Sequence, residues 1–103
     1  MDVLVRGKSI VVSEALRAYA EGRVRSALNH AAAKISSVDV RVADLNGPRG
    51  GVDIRAAVVA VLSHGGAVFV EARAADAYAA IEQAIARLVA RTQRRIGRLA
   101  AVT

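Results

Sequence analysis

Along the chain, the apolar positions change period several times. "DVLVR" alternates, with Val3 and Val5 on one face, and predicts a short strand. "SEALRAYAEGRVRSALNHAA" repeats at three or four residues through Leu16, Ala20, Val24, Ala27 and Ala31. With Ser13 where an N-cap belongs, a helix is expected from Glu14 to Ala31. Gly22 inside it weakens that helix by roughly 1 kcal/mol relative to alanine. "SSVDVRVAD" alternates again, with Val38, Val40 and Val42 inward and Asp39 and Arg41 outward. "LNGPRGG" carries the only proline and reads as a mobile connection. "VDIRAAVVAVL" and "AVFVEAR" are strands joined by the turn "SHGG", a hairpin by its spacing. Asp76 then caps a long helix in which Ile81, Ile85, Leu88, Thr92, Ile96 and Leu99 keep one face, and the final "LAAVT" is expected to fray.

The order is β-α-β-β-β-α. A strand-helix-strand unit prefers a right-handed crossover with parallel strands, and the two later strands add antiparallel through short turns. The expected fold is α+β, a four-stranded mixed sheet with two helices packed on one face. The 103 residues suffice for one domain, 1–103, and one core. One Phe, two Tyr and no Trp leave that core to Val, Ala, Leu and Ile. With no cysteine, disulfides, thiolate nucleophiles and Cys-ligated zinc are excluded, which fits a cytoplasmic protein. The start lacks an apolar run of signal-peptide length. The longest uncharged run, Ala56 to Val70, is broken by "SHGG" and falls short of a bilayer span.

Charge narrows the picture further. Fifteen Lys and Arg against nine Asp and Glu leave a net +6, which favours a polyanionic partner, nucleic acid or an anionic membrane surface. The segment "RLVARTQRRIGR" places five arginines in twelve residues with no acid among them. On a helix, Arg87, Arg91, Arg94 and Arg98 fall within about a 60° arc beside the apolar face, with Arg95 between. Such a stripe is either a solvated face that complements the helix macrodipole or a contact for RNA phosphates. No acid at i,i+4 relieves its self-repulsion, which points to the phosphates.

Four stretches carry a resemblance: "SEALRAYAEGRV", "SSVDVRVAD", "GPRGGVDIRA" and "VFVEARAADAYAAIEQAIARL", in which "DAYAAIEQA" is the most specific piece. In the same order over nearly the whole chain, they resemble the ribosome hibernation promoting factor and ribosome-associated inhibitor family. The resemblance implies a non-enzymatic protein without cofactor. It would bind the small ribosomal subunit along the mRNA and tRNA path when growth slows, blocking translation. By position it implies RNA contacts from Arg17, Arg23 and Arg25 of the first helix and Arg87, Arg91, Arg94, Arg95 and Arg98 of the last, with Lys8 and Arg49 in adjoining loops. Departures from the family pattern are Gly22, Ser26 and Ile54 where basic residues are common, which implies weaker and more salt-sensitive binding. Ending just after the second helix, the chain resembles the family's short form, without the C-terminal dimerisation domain.

Catalytic chemistry finds no constellation. His30 and His64 are the only histidines and read as surface or turn residues, with no metal site. Glu14, Glu21 and Glu82 are explained by ion pairing on helices. "GPRGG" lacks the Lys-Ser/Thr ending and the strand-to-helix setting of a phosphate loop. Tyr19 and Tyr78 read as packing residues with wet hydroxyls. One feature points elsewhere: Ala57, Val59 and Val61, joined by Phe69, lie on the sheet face away from the helices. An uncovered apolar cluster there predicts, as the alternative function, a protein-interaction surface of Val59, Val61 and Phe69 that self-associates as a weak homodimer or docks another protein through the sheet, with ribosome binding weakened or lost.

Overall fold

The computed structural model describes residues 1–46 and 53–102, with side chains through residue 98. Its strands are β1 (Asp2–Lys8), β2 (Ile35–Asp44), β3 (Ile54–Leu62) and β4 (Ala67–Ala74), and its long helices are α1 (Glu14–Ala27) and α2 (Ala77–Val102). Strand order follows chain order, with β1 parallel to β2 and the other two pairs antiparallel. The expected α+β architecture is therefore observed.

Valine alternation sets the core. Val5 pairs with Val40, Val40 with Val58 and Val58 with Val70, so one row of four buried valines crosses the sheet beneath the helices. Onto this face α1 lays Leu16, Ala20 and Val24, and α2 lays Ile81, Ile85 and Leu88. Thr92 continues the α2 face and is 1% exposed, its hydroxyl oxygen without a hydrogen-bond partner among the described residues. A threonine methyl replaces an aliphatic branch there, at the cost of an unsatisfied oxygen.

Local chemistry explains the helix starts. The Ser13 hydroxyl accepts from the Leu16 N–H at 3.1 Å, and an Asp76 carboxylate oxygen accepts from the Ala79 N–H at 2.9 Å. Gly7 permits a close approach after β1, since a Cβ there would collide with the Ile10 carbonyl oxygen.

Three expectations are corrected. The first helix ends at Ala27 rather than Ala31: Leu28 leaves the helical region at φ −105°, ψ 10°, and Asn29–Lys34 form a 3₁₀ helix. An i→i+3 winding keeps Leu28 and Ala31 both in the core, so apolar spacing alone does not separate it from α-helix. The final segment, expected to fray, is helical through Val102, because Leu-Ala-Ala contains no stop signal. Lys8 belongs to β1, paired with Ala43, rather than to a loop. Most of the "LNGPRGG" connection and its Arg49 lie outside the described residues.

Candidate nucleic-acid interface

The arginines of the two helices reach different edges of the sheet. β1 and β4 are the edge strands, so each offers backbone carbonyls that no further strand pairs. From α1, Arg17 Nη1 donates to the Val5 carbonyl at 2.6 Å and Arg25 Nη1 to the Met1 carbonyl at 3.0 Å. From α2, Arg87 donates to the Glu71 carbonyl, Arg91 to the Phe69 carbonyl at 2.6 Å and Arg95 to the Gly65 carbonyl at 2.5 Å. The i, i+4, i+8 spacing on the helix thus ties it to the edge of β4 at two points and to the turn before β4 at a third. Arg94 and Arg98 hold no hydrogen bond or ion pair among the described residues.

Arg23 stands between the two groups. Its Nε lies 2.6 Å from Glu82 Oε1 and its Nη2 3.2 Å from Oε2, while the Tyr19 hydroxyl donates to Oε1 at 2.6 Å. Tyr19 also meets Tyr78 edge to face, with ring centroids 4.9 Å apart. The α1–α2 seam is thus a hydrogen-bonded network. Arg23 and Tyr19 hold the Glu82 carboxyl below its ordinary value, and the same bond to Glu82 raises the Tyr19 hydroxyl. A carboxylate with a depressed folded value contributes stability above its unfolded value, about 4.3, and loses it as pH falls through the folded value. We expect Glu82→Gln to lower stability at neutral pH by about 1 kcal/mol, the upper end for an exposed pair. Melts at pH 7 and about pH 3 should show the gap between the two proteins closing in acid; a gap of constant size would separate Glu82 from the acid response.

The predicted contact residues therefore divide. Arg91, Arg94, Arg95 and Arg98 converge on one groove of about 370 Å³ beside Ala67 and Phe69. Arg17 and Arg25 lie on the opposite flank, and Arg23 is engaged in the seam. Lys8 joins Arg6 and Arg41 around a second, smaller groove of about 250 Å³ at the β1–β2 edge of the open sheet face. Arg6 and Arg41 are not among the candidates expected from the sequence; their outward places in alternating strands are the available signal. Both contact Asp39 Oδ2, at 2.5 and 3.4 Å.

On that open face Leu4, Val61 and Phe69 are 49, 40 and 51% exposed, while Val59 is half-buried. Ala57, expected to be exposed, is buried at 8% because its small side chain sits between Arg41 and Glu71 across the strands. Charged residues rim the patch: Arg55 approaches Glu71 at 3.7 Å, and Arg73 pairs with Asp53, whose carboxyl it holds below the usual range. His30 is exposed and lies 3.4 Å from the Gln93 amide, and His64 is exposed in the β3–β4 turn. No group of three metal-ligating side chains occurs among the described residues, and no described helix is long and apolar enough to cross a membrane.

Residues 3–100 match the family model described as sigma 54 modulation protein / S30EA ribosomal protein. The chain belongs to this family. Among solved structures it is similar to the N-terminal domain of Protein Y from Thermus thermophilus, with 27% identity, a TM-score of 0.75, and 91% of this chain and 98% of that one covered. It also shares its fold with a ribosomal subunit interface protein from Coxiella burnetii, at 16% identity and a TM-score of 0.80, covering 91% and 96% of the two chains. No curated protein matches.

Proposed function

We propose that this protein is a ribosome-associated translation inhibitor of the hibernation type, working in the cytoplasm and binding the small subunit through ribosomal RNA phosphates. It acts by occupancy, and no bond is made or broken. The observation that carries this reading is the groove in which Arg91, Arg94, Arg95 and Arg98 converge with no acid among its lining residues. Four cations so close together repel one another, and a phosphate backbone relieves that repulsion while releasing its own counterions. Arg17, Arg25 and Lys8 supply positive charge on the other flank, so the domain fits between phosphates on two sides rather than against one surface. Family membership supports the ribosome as the source of that RNA.

Sedimenting a stationary-phase lysate of the host through a sucrose gradient tests the proposal. The protein should migrate with small subunits or whole ribosomes at low salt and move to the top of the gradient as salt rises. Protein found only at the top at low salt would overturn it.

The half-exposed Leu4, Val61 and Phe69 support a second reading, self-association through the open sheet face. The patch is small and bounded by Arg6, Arg41, Arg55, Glu71 and Arg73, which limits it to a weak contact.

A further inference from the structure

The groove beside β4 contains more than a phosphate stripe needs. Phe69, the only phenylalanine of the chain, stands on the open face at the β4 edge, where it lines the groove together with the four arginines that reach that edge from α2, and it is 51% exposed. Its own carbonyl is the acceptor for Arg91, so the aromatic residue and the cation are fixed to the same point of the strand. Arg95 is fixed in the same way to Gly65. Gly66, at φ +82°, allows that approach, since a Cβ there would lie 3.0 Å from Arg95 Nη2. Two walls of the groove are thereby held in place before any ligand arrives, while Arg94 and Arg98, one turn apart, make no hydrogen bond or ion pair among the described residues.

An exposed aromatic ring beside unopposed cations matches the two halves of a nucleotide. Guanidinium groups take the phosphate, and a phenyl ring takes the face of a base, whatever its identity. A duplex does not offer that face, because its bases are stacked on one another. At about 370 Å³ the groove stands at the lower end of small-ligand sites, roughly 300 to 1,000 Å³, and suits one residue of a strand better than a longer segment.

We propose that this groove holds a single unpaired nucleotide of an RNA strand, with its base stacked on Phe69 and its phosphate on Arg94 and Arg98. The inference rests on the RNA-binding reading above and narrows it: single-stranded RNA is bound in preference to duplex at this site.

Fluorescence anisotropy with a labelled ten-nucleotide single strand and the same sequence as a duplex, at one salt concentration, tests it on the full chain. Phe69→Leu keeps an apolar side chain without a π-face and should weaken single-strand binding about tenfold while leaving the duplex unchanged. Phe69→Tyr should restore the affinity, and Arg94→Gln with Arg98→Gln should weaken both RNAs. Equal losses on the two RNAs with Phe69→Leu, or no loss on either, would overturn the nucleotide site, and so would a Phe69→Leu effect confined to self-association. If in those cases the arginine pair still lowers RNA affinity, the broader reading survives; if it does not, that reading falls as well. Thermal melts of each variant separate a binding defect from a folding one.

Discussion

Replacing Arg87, Arg91, Arg94 and Arg98 together by glutamine will flatten the salt dependence of RNA binding by about 2.8 to 3.6 in the log–log slope, at about 0.7 to 0.9 for each phosphate no longer neutralised. At about 0.15 M salt this corresponds to a loss of affinity on the order of 10² to 10³-fold. The structure divides the expected effect. Arg94 and Arg98 have no bond within the described residues, so their replacement alone should remove about half the slope and leave stability unchanged. Arg87 and Arg91 also hold carbonyls of β4, so their replacement should lower the melting temperature in addition. Binding isotherms at four or five salt concentrations, set beside melts of the same proteins, measure both quantities. A slope unchanged in the quadruple variant would rule out the stripe as the binding face.

Alanine at Arg87, Arg91 and Arg95 will change how the protein associates. These three side chains occupy the carbonyls of Glu71 and Phe69 on the free edge of β4 and that of Gly65 in the turn leading into it. With them gone, the edge presents unpaired acceptors beside the apolar "AVFV" run, and a second copy of β4 can add to it. Losing each exposed tether should also cost about 0.5 to 1.5 kcal/mol. Analytical ultracentrifugation should show the triple variant shifted to larger species relative to the wild type, with β4 amides exchanging more slowly once paired. Arg94→Ala with Arg98→Ala serves as the control, since it removes nearby positive charge without freeing the edge. A triple variant that sediments like the wild type would show that the arginines do not guard the strand. If instead the control associates as strongly as the triple variant, charge repulsion rather than edge capping keeps the copies apart.

Each element is readable where its signal is local and repeated. Alternation through Val38, Val40 and Val42 sets which side of β2 meets the core, and Ser13 and Asp76 mark both helix starts. The glycines of "SHGG" place the hairpin, where Gly65 and Gly66 take positive φ values. The end of α1 is not readable, because Ala31 is buried in the 3₁₀ turn at a spacing from Leu28 that an α turn would bury as well.

The candidate site is legible in part for the same reason. Fold class, inward faces and the presence of an arginine stripe all follow from near neighbours along the chain, so the amino-acid order suffices for them. What those arginines touch depends on the assembled fold. Arg17 and Arg25 meet carbonyls of Val5 and Met1, while Arg91 and Arg95 meet those of Phe69 and Gly65, so the two helices serve opposite edges rather than one continuous patch. Arg23, which looks like its neighbours in sequence, is committed to Glu82, 59 residues away. A long cationic side chain has no partner written into its own segment. Its acceptor is supplied by strand order and helix direction, which exist only once the chain has folded, and this is why Arg94 and Arg98 stand out as the free pair only on the assembled sheet.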